Sequence, residues 1–208
     1  NGIIAEFRLM DDYIYFFNDA RIALHFDPLP IWYEAMEQDA LPADAGAYPL
    51  HALTQRPMFM YHAWGAQNRW LRQIAARNVL YVHPETAARA GLADGDWAWL
   101  SSHVGRIRVQ VALHAGVQRD TVWTWNAIGK RRGSWGLAPD TPEATRGFLL
   151  NHLVSDLLPG APGSANADPV TGQASWFDLR VCIDRCEDQR DALAQPQFPA
   201  MADVARAH

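Results

Sequence analysis

The sequence predicts a mainly β fold in which short helices surround one closed β unit. Three observations carry this expectation. From residue 49 onward, short apolar runs with period-two alternation recur between turn signals. The helical patterns between them are few and short, which excludes a doubly wound parallel sheet. The two best strands, within 94–102 and 105–114, are joined by the hairpin sequence SHVG.

The elements follow in chain order. Residues 1–27 alternate loosely and are rich in aromatics, so they fit strand or helix and need another surface to cover them. Residues 27–49 are proline-rich and read as a linker with one short helix. PLHALT, 49–54, reads as a strand. In 66–77 the residues Trp70, Leu71, Ile74 and Ala75 share one helical face. NVLYV, 78–82, is a short buried strand. In 83–92, Pro84 sits at a first helical position and Gly91 at the exit. Asp94-Gly95 turns the chain into the next strand. In 105–114, Ile107, Val109 and Val111 face one side and Arg106, Arg108 and Gln110 the other. TVWTW, 121–125, is a further strand, followed by a Gly-rich basic loop over 129–136. A helix is expected over 145–158, loop over 159–175, and a last strand over 176–184. The polar, Ala-rich tail after 186 is expected to fray.

Composition sets the class. The chain has 208 residues, 49% hydrophobic and 20% charged, which suits one globular core. A net charge of −5 gives no general attraction to nucleic acid. No apolar run is long enough to span a bilayer. Asn1 is not an initiator, so the chain reads as a piece of a larger protein or a processed product. Cys182 and Cys186 are too few for a disulfide framework and read as ordinary thiols. Nine tryptophans fit either a Trp-rich core or flat aromatic surfaces at an interface or groove. His83, His103 and His114 lack zinc-site spacing, and no Walker-type loop or nucleophile elbow is present.

Three segments together carry a resemblance. They are the strand followed by TQR…H…QNRWL, the middle segment VHPETAARAGLADGDWAWLSSHVGRIRVQVALHAGV, and ANADPVTGQASWFDLRVCI near the end. Over roughly 48–184 the chain resembles the C-terminal dinucleotide-binding domain of the molybdopterin oxidoreductases, the dimethyl-sulfoxide-reductase family. AQNRWLRQI and WNAIGKRRGSWGLAPDTPEATRGFLLNHL look most like catalytic subunits of membrane-attached sulfite dehydrogenases. The resemblance implies a double-psi β-barrel of the aspartate-decarboxylase-like type over 48–186. Residues 1–47 would be a linker and extension packing on parent domains, and 187–208 a C-terminal tail. The implied cofactor is bis-molybdopterin guanine dinucleotide, with molybdenum and iron–sulfur clusters held outside this chain. The implied partners are a membrane anchor, an iron–sulfur electron-transfer subunit and the remaining domains of the catalytic polypeptide, with the enzyme on the cytoplasmic side. The implied reaction is oxidation of sulfite or a related sulfur compound. Formate, nitrate, polysulfide and thiosulfate are alternative substrates for the parent, and a stand-alone barrel acting as a protein-interaction module is the rival class.

A guanine dinucleotide needs cations for its pyrophosphate and directional carboxamide, imidazole or backbone groups for its rings. Thr54, Gln55 and Arg56 are candidates after the first strand, and His62 and Asn68 lie in the same connection. Asn68 serves equally as a helix cap. Asn126 ends a strand, and Lys130 represents the basic loop, whose glycines permit close backbone approach. Asn151 interrupts an apolar stretch, where a polar group requires a partner. Gln173 stands where the family pattern has a polar contact to a base or pterin. No catalytic or metal-ligating residue is expected in the chain itself.

Overall fold

A computed structural model describes residues 46–65, 68–75, 77–126, 128–129, 147–158, 165–168, 172–190 and 197–198, with Trp32 and Met36. The expectations for 1–27, for most of 27–49 and for the basic loop beyond Gly129 lie outside these residues. Six strands form the frame: β1 (Leu50–Gln55), β2 (Leu80–Val82), β3 (Trp97–Ser101), β4 (Arg106–Leu113), β5 (Thr121–Trp125) and β6 (Arg180–Arg185). Short helices α1 (Arg69–Ile74) and α2 (Pro84–Arg89) accompany them among the described residues.

The strands close into a barrel in the order β1-β5-β2-β4-β3-β6. The β1–β5 and β2–β4 pairs are parallel, while the other four pairs are antiparallel. Moving every strand three places along the chain (β1 to β4, β2 to β5, β3 to β6) returns the same set of pairings. The frame therefore has a pseudo-two-fold axis, and it is a double-psi β-barrel. Alternation decides which side chains go inside. Leu50, Ala52, Leu80, Val82, Ala98, Leu100, Ile107, Val109, Val111, Val122, Val181 and Ile183 form one buried cluster. Ala87 and Leu92 join it around α2, and Phe148, Leu150 and Leu153 join it from the segment after 147.

Local chemistry explains the turns. His83 caps α2 through Nδ1, which accepts from the Glu85 N–H at 3.1 Å, and Pro84 follows in the first turn. Asp94 Oδ1 accepts from the Leu113 N–H and Asp96 Oδ2 from the Ala93 N–H, so both acids shape the turn into β3. The hairpin of β3 and β4 closes through the Ser102 N–H on the Gly105 carbonyl.

Four expectations change. The helix expected over 66–77 is helical over Arg69–Ile74 only, and only Leu71 and Ala75 pack inward, while Trp70 and Ile74 are 77% and 64% exposed. Residues 71 and 75 form one ridge and 70 and 74 the next, and the small cluster beneath accommodates a single ridge. Within 147–158 there is one 3-10 turn, Leu150–Leu153, instead of a long helix. Gly147, at φ 140°, starts that segment in a backbone region closed to helices. The last strand begins at Arg180, because Trp176 and Phe177 occupy a turn and stack on each other at 3.6 Å.

The fourth change concerns the tail. Arg108 lies on the face of β4 opposite Ile107, Val109 and Val111, yet it is buried. Its guanidinium donates to the carbonyls of Asp188 and Arg190 at 2.6 and 2.8 Å and lies 4.5 Å from the Trp97 ring. Gln189 receives the Trp97 N–H and donates back to the Trp97 carbonyl, and Gln197 bridges to Arg106. A buried guanidinium is tolerated when its donors are occupied, and these carbonyls hold the described tail against the barrel.

His51 on β1 pairs with Arg180 on β6, whose guanidinium donates to His51 Nε2 at 2.6 Å. Burial and then the Arg180 charge hold His51 below its ordinary pKa of 6.5, against the weaker pull of Asp120 and Asp178. Burial lowers His103 in the same way. The unfolded chain therefore takes up these protons at higher pH than the folded chain does. The contribution of these two histidines to stability is full above their ordinary pKa of 6.5 and is lost as pH falls below it. Thermal unfolding followed by circular dichroism should show this decline, and His51→Gln should make it shallower.

Candidate functional site

Because β1 and β5 run parallel, their C-terminal ends emerge at the same end of the barrel. Thr54 pairs with Thr124 and Gln55 with Trp125. The Asn126 N–H extends the ladder by donating to the Gln55 carbonyl at 3.0 Å. The connections after both strands thus begin side by side, and polar groups collect where a ligand meets the open ends of parallel strands.

Under this junction lies Asn78, almost fully buried. Its Nδ2 donates to the carbonyls of Trp125 and Phe148 at 2.9 and 3.2 Å. Its Oδ1 accepts from the Thr124 hydroxyl at 2.8 Å and the Trp125 N–H at 3.3 Å. One side chain therefore fixes the end of β5 and the segment after Gly147. Gly129 and Gly147, at φ 137° and 140°, let these segments cross at backbone contact. A Cβ on Gly147 would stand 2.9 Å from the Ile128 carbonyl. The long connection after β1 lies on the same corner, where Met60, Phe59, Leu71 and Ala75 pack with Ile128 and Trp125.

The structure brings four of the sequence-derived candidates to this corner. Thr54 and Gln55 belong to β1 itself instead of the following loop, Thr54 facing the barrel interior and Gln55 solvent. Arg56 is exposed and its guanidinium lies 5.7 Å from the Tyr61 ring centroid. Asn126 is half-buried, and its Oδ1 is fully buried with no hydrogen-bond partner among the described residues. Leaving such an oxygen unpaired costs about 1–3 kcal/mol, so an orphan of this kind marks a place for a missing donor. His62 lies in the 3-10 turn His62–Gly65 of the β1 connection. Asn68 caps α1, its Oδ1 accepting from the Trp70 N–H at 2.9 Å. Lys130 follows Gly129 outside the described residues.

Asn151 and Gln173 lie on two other segments. Asn151 is exposed in the Leu150–Leu153 turn, which Ser102 anchors by donating to the Leu153 carbonyl at 2.8 Å. Gln173 is exposed on a small hairpin in which the Ala167–Ala174 bridge and the Asp168 N–H on the Gln173 carbonyl bring 168 and 173 together. Sequence reasoning missed Asn78 and Asn166. Asn78 stands directly before a buried strand, an unusual place for a carboxamide without a task. Asn166 stands in a run of turn formers, which hid it.

A closed double-psi barrel with carboxamides and a cation at the open end of its parallel pair describes a domain that binds a polar ligand through its loops. Residues 50–167 match the model of the molydopterin dinucleotide binding domain family. The chain belongs to that family, the cofactor-binding domain of molybdopterin oxidoreductases. It is 48% identical over 184 residues to a sulfite dehydrogenase polypeptide of Allochromatium vinosum, covering 87% of this chain and 19% of that protein. It is 29% identical over 85 residues to the thiosulfate reductase molybdopterin-containing subunit of Salmonella typhimurium, covering 41% of this chain and 11% of that one. The chain thus spans about a fifth or less of the length of these curated relatives. Acetylene hydratase from Pelobacter acetylenicus shares the fold, with a TM-score of 0.61 at 22% identity over 79% of this chain and 22% of that chain.

The Asn78 network predicts a large local cost. Asn78→Leu leaves two carbonyls and an N–H short of a partner, while the Thr124 hydroxyl keeps the Val79 carbonyl as its acceptor, and should lower stability by at least about 2 kcal/mol in urea denaturation. Thr124→Val removes one member of the network and should cost less.

Proposed function

We propose that this chain holds the guanine dinucleotide part of bis-molybdopterin guanine dinucleotide in the connections that leave β1 and β5. The observation that carries this reading is the buried Oδ1 of Asn126, without a hydrogen-bond partner among the described residues, beside Gln55 and Arg56. Asn126 would accept from a ring or ribose donor of the ligand, while Arg56 and Lys130 would offset pyrophosphate charge. Gln55, His62, Asn151 and Gln173 would add directional contacts around the same ligand, and Thr54 would form the polar floor of the strand end. Bound in the parent enzyme, the molybdenum group would supply two-electron oxygen-atom transfer. This chain's residues bind and orient the cofactor's distal end.

For the parent, the reading is sulfite oxidation, supported by the 48% identity to a sulfite dehydrogenase polypeptide over most of this chain. Electrons would leave through iron–sulfur clusters and an electron-transfer subunit to reach a membrane anchor, on the cytoplasmic side. The remaining domains of the catalytic polypeptide would cover the exposed Met58, Tyr61, Trp64, Trp70 and Ile74, all on the β1 connection. Apolar side chains concentrated in this way mark an interaction surface.

Calorimetric titration of the chain with GDP tests the site. Saturable binding weakened about tenfold by Arg56→Ala and by Asn126→Leu is expected, the loss of one ligand hydrogen bond each. Equal affinity for both variants and the unsubstituted chain removes this corner from the reading. The substrate is tested on the complete catalytic polypeptide carrying this sequence, loaded with cofactor and given an artificial electron acceptor. Sulfite should be oxidised, and turnover of thiosulfate but not sulfite would reassign it.

A further inference from the structure

The turn that carries Asn151 is a weak element by itself. It is a single 3-10 turn, Leu150–Leu153, and its own backbone bonds are long. The His152 N–H reaches the Leu149 carbonyl at 3.2 Å and the Val154 N–H the Asn151 carbonyl at 3.4 Å. Leu150 and Leu153 hold the inner side of the turn in the core, which leaves Asn151 and His152 on the outer side. So short a piece of helix keeps its outer side chains in place only where its neighbours hold it.

Three neighbours do so. Asn166 holds the exit, its N–H on the Asp156 carbonyl and its Nδ2 on the Ser155 carbonyl, while its buried Oδ1 has no hydrogen-bond partner among the described residues. The tip of the β3–β4 hairpin holds the end of the turn. There the buried Ser102 hydroxyl donates to the Leu153 carbonyl at 2.8 Å and accepts from the Val104 N–H at 3.1 Å. The third neighbour is the tail, seated on the same hairpin. Arg106 and Gln197 exchange two backbone bonds, at 2.8 and 2.9 Å, and Arg106 Nε donates to Gln197 Oε1 at 2.6 Å. Gly105 makes room for this contact, since a Cβ there would collide with the Gln197 carbonyl oxygen and stand 3.0 Å from Phe198 Cδ1. From this seat Phe198 meets the turn, its ring centroid 6.4 Å from that of His152 in an edge-on arrangement. The hairpin tip thus grips the turn through Ser102 and the tail through Gly105 and Arg106, and Phe198 closes the circuit on the turn's outer side. We infer that Phe198 is a positioning residue of the cofactor site, which sets Asn151 by holding the adjacent His152. This rests on the cofactor-binding reading above, in which Asn151 contacts the ligand, and it gives the tail a part in binding.

A double-substitution cycle on the 208-residue chain tests the inference, with GDP as the probe in calorimetry. Phe198→Ala should weaken GDP binding about threefold or more, the size of a coupling between residues in contact. Gly105→Ala, which displaces the same tail segment and leaves Phe198 in the sequence, should do likewise. In an Asn151→Ala background, Phe198→Ala should change the affinity by less than about twofold, because the residue it acts through is gone. Thermal unfolding by circular dichroism is followed for every variant. A merely structural contact lowers the midpoint alike in both backgrounds and leaves the affinity of the folded chain unchanged. Should Gly105→Ala fail to fold, Phe198→Ala alters an exposed side chain and carries the cycle alone. Unchanged GDP affinity in the folded variants, or a Phe198→Ala loss that persists in full in the Asn151→Ala background, overturns the inference. An Asn151→Ala chain that binds GDP as tightly as the unsubstituted chain also overturns it, while weakening by Arg56→Ala keeps the broader reading. Failure of GDP to bind overturns both.

Discussion

Four hydrogen bonds radiate from the carboxamide of Asn78, reaching the last residues of β5 and the main chain of Phe148. Without them the parallel strands would still close, but their polar end would have no fixed shape. The end of β5 sets where Asn126 stands, and the Phe148 carbonyl sets where the chain crosses Gly129. A buried polar network of this kind holds only when every member is satisfied, and here the hydroxyl of Thr124 supplies the remaining donor. The site at this end depends on a residue that need not touch a ligand.

The barrel itself supplies the other half of the arrangement. Parallel pairing of β1 and β5 places two loop origins together, and β2 and β4 repeat the relation on the other side of the pseudo-two-fold axis. The two ends have diverged. Gln55 and Trp125 end the β1–β5 pair and are followed by Arg56 and Asn126, whereas Val82 and Leu113 end the other parallel pair and are followed by His83 and His114, next to α2 and the acid-capped turn of 93–96. Symmetry of the frame leaves chemistry free to differ, and only side chains at strand ends decide which end recognises a polar molecule.

Much of this was legible in the sequence. Period-two alternation found the strands, because a barrel wall buries every second residue, and Ile107, Val109 and Val111 behaved as their pattern required. Pro84 and Asp94-Gly95 announced their elements through local chemistry that needs no tertiary context. What could not be read was decided by contacts distant in sequence. Trp70 and Ile74 have helical spacing but face solvent, since the cluster below accepts Leu71 and Ala75 instead. The long helix near 150 gives way to one turn because Gly147 must pass the backbone of Ile128. The orphan oxygens of Asn126 and Asn166 are properties of burial, and a sequence carries no sign of which carboxamide lacks a partner.

The grip of Arg108 on the carbonyls of Asp188 and Arg190 has a consequence for where this folding unit stops. A boundary drawn at the last strand would cut after Arg185 and remove the Asp188 and Arg190 carbonyls to which this guanidinium donates beside Trp97. Removing water from a cation is tolerable only with those acceptors in place. The residues past β6 are therefore tied to the barrel through the solvation of one charge as well as through hydrogen bonds along the sheet edge. Trimming the chain to its secondary structure would remove residues that belong to the interior in all but position.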